Sequence, residues 1–194
     1  VMARDLSGVA DLAEVCRTMS DLADEAIETA RARCAAALAT RYGEPRSESG
    51  VPQELVVVAM GKLGGRELNV SSDVDLVFLY PEEGSTTGPE KISNHEFFSL
   101  LGRRLIALIS EPTEDGFVFR VDMRLRPYGE SGPLVASFDA LETYLLSQGR
   151  EWERYAWLKA RALGSAPRCN ELKRLVKPFV YRKYLDYGTV SAID

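Results

Sequence analysis

The chain has 194 residues, with 27% charged and 45% hydrophobic residues and a formal net charge of −5. This is the composition of an ordinary globular protein, long enough for one domain with its own core plus helical additions. The acidic balance argues against nucleic acid as a partner, since phosphate neutralisation needs a basic surface, and no apolar run approaches the ~20 residues of a membrane span. Cys16, Cys34 and Cys169 are far apart, with neither zinc-ligand nor disulfide-framework spacing, so a cytoplasmic home is expected. No signal-peptide pattern opens the chain. Beginning at Val1 and stopping at Asp194 without an end signal, it reads as a fragment of something longer.

Residues from about Ser7 to Thr40 predict one long packing helix, because Val9, Leu12, Cys16, Met19, Ala23, Ile27 and Ala30 recur at three- and four-residue steps. Gly43 is its expected stop. Glu44–Pro52, carrying prolines, serines and a glycine, reads as a loop. Two short β-branched runs follow, Leu55–Met60 and Val74–Tyr80, each with the signature of a buried strand. Between them lies the turn Gly61-Lys62-Leu63-Gly64-Gly65, which is neither a P-loop nor a dinucleotide-binding fingerprint.

The second run opens with Asp73-Val74-Asp75. Strand side chains alternate, so both carboxylates point to one face and repel unless a cation sits between them. A hard divalent ion suits that place, because Mg²⁺ prefers carboxylate and phosphate oxygens. Gly64 and Gly65 lack Cβ atoms, which lets their backbone N–H groups approach phosphate closely. A lone D-x-D is more often a solvated turn. Its position at the mouth of a buried strand, behind glycines, is what favours a metal–phosphate site.

Pro81–Pro89 reads as a surface loop. Ser93 and Glu96 form a capping box, followed by an apolar helical face at Phe97, Phe98, Leu101, Leu105, Leu108 and Ile109. His95, the single histidine, falls in that helix's first turn in a surface or capping role, so a Ser–His mechanism drops out. In Phe117–Arg126 apolar residues alternate with Val118, Arg120, Asp122, Arg124 and Arg126, which predicts an amphipathic strand with one acid among three arginines. An acid on a neighbouring strand is what a D-x-D site still needs, while a plain solvated face is the alternative. Arg124 and Arg126 are the better candidates for neutralising phosphate.

Pro127–Pro133 reads as a rigid loop beside Asp122. A helix is expected from Ser137 to about Gln148, facing Phe138, Leu141, Tyr144 and Leu145 inward, with Gly149 breaking it. A further helix from Arg150 through Leu163 would align Arg150, Arg154, Trp157 and Arg161 as a cationic stripe for phosphate or nucleotide, unless those arginines pair with Glu151 and Glu153. Pro167 marks a break. Glu171–Tyr187 reads as a basic helix interrupted near Pro178. The expected division is a helical segment over residues 1–43, a catalytic core over 50–136, and a helical segment over 137–194 leading towards a further helical domain.

The segment GKLGGRELNVSSDVDLVFLYPE, extended through Phe119–Leu134 and Gly149–Ala162, resembles the glutamine synthetase adenylyltransferase/adenylyl-removing family. The wider likeness is to nucleotidyltransferases of the polymerase-β type. That resemblance implies an α+β (α/β) fold with a small mixed twisted sheet, flanking helices and a long N-terminal helix. It implies Asp73, Asp75 and Asp122 as catalytic metal ligands for one or two Mg²⁺ (Mn²⁺ as an alternative), with Gly64, Gly65, Ser72, Arg124 and Arg126 around nucleotide and phosphate. The form Asn69, Ser71, Ser72, Asp73 is more similar to the family's adenylyl-removing copy than to its adenylylating one. The implied reaction takes AMP from a tyrosine of adenylylated glutamine synthetase with inorganic phosphate, giving ADP. ATP-dependent adenylylation and a non-catalytic nucleotide-sensing module are the rivals. The family is regulated through the PII signalling protein, though no residue here identifies that contact.

Overall fold

The computed structural model describes residues 2–181. A short helix α1 (Met2–Leu6) precedes the long helix α2 (Leu12–Tyr42). The two are separate because Gly8 takes a positive φ of 69° and Asp11 caps α2 by accepting a hydrogen bond from the Glu14 amide. Val9 and Leu12, expected on the packed face, are therefore exposed, whereas Met19, Ala23, Ile27 and Ala30 are buried together with Val15, Cys34 and Leu38. Gly43 ends α2 at φ 76°, as anticipated.

The sheet is built on the predicted strand pair. β2 (Val56–Ala59) is buried throughout and pairs antiparallel with β3 (Val74–Tyr80), Ala59 opposite Leu76. The stretch Glu44–Pro52 is more than a loop: β1 (Pro45–Ser47) pairs antiparallel with β4 (Gly84–Thr86), which falls inside the expected surface loop. Between β2 and β3 the glycine turn is itself one helical turn, α3 (Gly61–Gly64). Helix α4 (Asn94–Ser110) carries the expected capping box at Ser93 and Glu96, and His95 is exposed in its first turn.

The predicted ten-residue strand at Phe117–Arg126 shrinks to β5 (Val121–Asp122). The edge of β3 offers β5 only Val74 and Asp75 in parallel register, before β6 (Val135–Ser137) takes over at Phe78–Tyr80. Upstream, the Val118 and Phe119 amides donate to the Ile109 carbonyl instead of a ladder, and Phe117 and Val118 stay exposed. Helix α5 (Phe138–Ser147) buries Phe138, Leu141, Tyr144 and Leu145, as its pattern predicts.

The next helix, α6 (Glu151–Leu158), stops short of the expected Leu163. The chain then enters β7 (Arg161–Leu163), antiparallel to β2. The cationic stripe is thereby broken up, since Arg161 belongs to the sheet. Pro167 opens α7 (Ala166–Val180) in its first turn, where a missing N–H costs nothing. Pro178 sits inside that helix, and the rest of the predicted Glu171–Tyr187 segment lies outside the described residues.

The result is a mixed α/β architecture, with strand order β5-β3-β2-β7 and β6 also on β3. Helices α2 and α4 cover one side of the sheet, sharing a core with Val57, Ala59, Leu76 and Phe78. Helices α5, α6 and α7 cover the other, around Val56, Val58, Val77 and Leu79. Strand β6 straddles the expected boundary at residue 136 and β7 lies beyond it, so the sheet joins the two segments. Cys16, Cys34 and Cys169 are free thiols, and among the described residues no helix is long and apolar enough to cross a membrane.

Candidate active site

The polar end of the central strand pair follows from where the apolar run stops. Along β3 every residue from Leu76 to Tyr80 is buried, whereas Asp75 is half-buried and Asp73, just before the strand, is exposed. The parallel register sets Asp75 directly beside Asp122 of β5. Strands in register are ~5 Å apart, which brings the two carboxylate-bearing residues together from positions 47 apart in the chain.

Their electrostatics differ. Burial, and then the negative charges of Asp122 and Asp73, push the Asp75 carboxyl above its ordinary value, while Arg124 and Lys62 pull it back. Asp122 is held below the usual range chiefly by its hydrogen bonds from Arg124. The Arg124 backbone amide donates to Asp122 Oδ1 at 2.8 Å and its Nε to Oδ2 at 2.8 Å. Asp73 accepts from Arg120 Nε, and the other end of that guanidinium donates to the Ser71 carbonyl at 2.7 Å.

Two of the three carboxylates are thus paired to arginines. Among the described residues no three acidic, histidine or cysteine side chains are gathered into a ready metal cage. The donor chemistry nevertheless suits a hard divalent cation. Asp73 and Asp122 both lie within electrostatic reach of Asp75, whose charge they disfavour, and the arginine side chains on the outer two are largely solvent-exposed, 59% for Arg120 and 72% for Arg124.

The glycines play a different part from the one their sequence suggests. The Gly64 amide donates to the Met60 carbonyl at 2.9 Å and the Gly65 amide to the Gly61 carbonyl at 3.1 Å, so neither N–H is left for a phosphate oxygen. A Cβ on Gly64 would stand 2.2 Å from the Lys159 carbonyl and 2.6 Å from that of Ala59; this glycine exists for packing. The glycine that serves the carboxylates is Gly61, at φ 52°, where a Cβ would fall 2.6 Å from Asp75 Oδ2.

Ser72 is present at the site: its Oγ donates to Asn69 Oδ1 at 2.7 Å and accepts from Lys62 Nζ at 3.1 Å. Lys62 is the cation that sequence reasoning passed over, and its place directly after the strand-ending Met60-Gly61 was the available signal. Arg126 braces its own loop, donating to the carbonyls of Met123, Glu130 and Gly132. Of the expected stripe, Arg154 donates to the Phe179 carbonyl and pairs with Glu151, Trp157 is buried, and Arg161 pairs with Asp24.

Comparison with known proteins gives a consistent answer. The family model described as glutamate-ammonia ligase adenylyltransferase matches residues 1–174. The chain is 62% identical, over its whole length, to a protein of Chromobacterium violaceum named bifunctional glutamine synthetase adenylyltransferase/adenylyl-removing enzyme. Proteins of the same name from Aromatoleum aromaticum and Burkholderia mallei are 57% and 59% identical, again over the whole chain. The chain spans about one fifth of the length of these curated relatives: 21%, 20% and 22%.

Proposed function

The chain belongs to the glutamate-ammonia ligase adenylyltransferase family, and from that premise we propose that it is a metal-dependent nucleotidyltransferase unit with a polymerase-β-like core. The observation that carries this is the register of Asp75 beside Asp122, with Asp73 next to them, at the open end of a buried strand pair. Asp73, Asp75 and Asp122 would hold one or two Mg²⁺, or Mn²⁺, once Arg120 and Arg124 give up their carboxylates. The bound cation would supply charge neutralisation at a transferring phosphoryl group.

We further propose the adenylyl-removing direction. The substrate is adenylylated glutamine synthetase; an oxygen of inorganic phosphate forms a bond to the AMP phosphorus as the tyrosyl P–O bond breaks. ADP departs, and the electron pair left on the tyrosyl oxygen takes a proton from solvent. Tyrosinate is a fair leaving group, its phenol having a pKa of about 10, so the step does not need a strong general acid. The residues of this chain act by positioning and charge. Lys62 and Ser72, linked to each other beside Asp75, are placed to meet phosphoryl oxygens, and Arg124 reaches the same region from β5.

The N-S-S-D form of the motif supports removal over ATP-dependent adenylylation. Control by the PII signalling protein would reach the unit through the remainder of the longer relatives. The test mixes the protein with adenylylated glutamine synthetase, Mg²⁺ and phosphate, and follows ADP together with the mass of the synthetase. ADP formed with loss of AMP from the synthetase is the expected result. Asp75→Asn should lower the rate at least ~10³-fold without lowering the melting temperature, because it removes a carboxylate that burial and repulsion already disfavour. AMP transfer from ATP to the unmodified synthetase would reverse the direction. Full activity in a folded Asp75→Asn protein would overturn the site.

A further inference from the structure

Immediately beyond Asp122 the chain walls a cavity of about 360 Å³, between the loop after β5 and the facing ends of α5 and α6. It lies outside the three-carboxylate cluster but shares one side chain with it. Arg124, whose guanidinium covers Asp122, also lines this cavity.

Its chemistry is two-sided. Arg150 reaches it with a guanidinium that makes no hydrogen bond or ion pair among the described residues. Arg126 adds positive charge, although its N–H groups are occupied by loop carbonyls. The opposing charge is Glu153, which is buried with both oxygens engaged: Oε1 accepts from the Tyr144 hydroxyl at 2.6 Å and Oε2 from the Arg150 amide at 2.8 Å. Glu130 and Asp122 lie near Arg124 on the other side. With Arg124 paired to Asp122 and Arg126 spent on loop carbonyls, Arg150 is the guanidinium in the cavity left uncommitted among the described residues, facing a Glu153 whose oxygens are already engaged.

Two large aromatic side chains stand in its rim with about half their surface in water, Tyr128 at 56% and Trp152 at 50%. Tyr128 is held there by a left-handed backbone, φ 61°, and by an edge-on contact with the Tyr144 ring at 4.6 Å between centroids. A non-glycine residue in that conformation is strained, so the surrounding loop has to hold it there. Gln148 and Ser131 add neutral polar groups. Exposed flat rings beside an uncommitted arginine suit a ligand that joins an aromatic base to an anion.

Resting on the nucleotidyl-transfer reading above, we propose that this cavity is the seat of a purine mononucleotide, its base against Trp152 and Tyr128 and its phosphoryl group on Arg150 and Arg124. The occupied cavity draws Arg124 off Asp122, which frees that carboxylate for the divalent cation. Nucleotide and cation then assist each other's binding, as linkage requires of any pair competing with one shared latch.

The test is equilibrium binding to the purified protein, read by tryptophan fluorescence and calorimetry. Trp152 reports from the rim, while Trp157 is buried in the core as an internal reference. Without metal, AMP should bind at least ~10-fold more tightly than either adenosine or inorganic phosphate, because it alone engages both walls. Arg150→Gln and Trp152→Leu should each weaken AMP about tenfold and leave Mn²⁺ affinity unchanged, with circular dichroism confirming the fold. Mn²⁺ should raise AMP affinity several-fold in the native protein and not in Arg124→Gln. If inorganic phosphate binds as well as AMP, or both cavity variants bind AMP normally, the cavity assignment is overturned. Should AMP removal from glutamine synthetase survive in those variants at native KM, the cavity fails and the transfer reading stands. If AMP binding depends on Arg150 while no transfer occurs in either direction, the cavity stands and the transfer reading fails.

Discussion

Two sets of arginine–aspartate pairs flank the glycine turn, and they behave differently. Behind the turn, Arg161 of β7 grips both oxygens of Asp24 on α2, at 2.8 and 2.9 Å, and donates to the Leu63 carbonyl at 3.0 Å. Its side chain is 24% exposed and that of Asp24 20%. In front of the turn, Arg120 and Arg124 hold Asp73 and Asp122 with most of their own surface in water. The first pair ties a helix, a turn and a strand together with few solvent molecules to replace it. The second set is screened on its arginine side: Arg120–Asp73 is exposed at both ends and such pairs contribute ~1 kcal/mol or less, while Arg124 reaches out of water to an Asp122 side chain only 14% exposed. Identical side-chain chemistry is therefore committed to the fold on one side and, in the function proposed above, exchangeable for a ligand on the other.

The sharpest way to test that division is through the adjacent glycines. Gly64→Ala should destabilise the protein by about 3 kcal/mol, because its Cβ meets backbone carbonyls on both sides. At Gly65 the nearest atom to an added Cβ is a Glu67 side-chain carbon at 3.4 Å, so Gly65→Ala should shift stability by no more than ~0.5 kcal/mol. Urea unfolding of both variants measures the contrast, and equal losses would contradict a packing role confined to Gly64. Next in size, Arg161→Ala should cost about 2 kcal/mol, since it strips a partly buried carboxylate of its bidentate partner. Arg120→Ala should cost less than ~1 kcal/mol in the same assay. If the two arginines proved equally costly, exposure would not be what separates them.

The last effect is a pH slope. Burial, and then the hydrogen bond to Glu153, push the Tyr144 hydroxyl up to about 12 from its ordinary 10. The folded state holds this proton more tightly than the unfolded chain does. The stabilisation is therefore complete below pH 10 and is lost as pH rises through about 12. Tyr144→Phe should flatten the fall in stability across that window, as measured by denaturant midpoints at stepped pH.

What was legible in the sequence was local. The capping box at Ser93 and Glu96, the inward face of α5, the buried β2–β3 pair and the D-x-D at its mouth each depend on neighbours within a few residues. The three-residue strands β1, β4, β6 and β7 are too short for a period to show; β6 and β7 take what the β3 and β2 edges leave open, and β1 and β4 find each other in a separate two-stranded sheet. The alternation across Phe117–Arg126 is real in the sequence, yet only Val121 and Asp122 find a partner strand there. Lys62 was missed at the site, and Arg120 was ranked below Arg124 and Arg126, because each acts on residues whose proximity the turn and the sheet create.

The sequence by itself determined the chemistry available to this protein: three aspartates, the arginines that follow them, a glycine turn after an apolar run, and family membership written in a long motif. Tertiary structure alone decided how those groups are used. It placed Asp75 beside Asp122, spent the Gly64 and Gly65 amides inside a helical turn, and moved Arg161 from a helix face to a strand. The physical reason is that a side chain's charge and shape are fixed by its own atoms, whereas its partner and its access to water depend on segments distant in the chain.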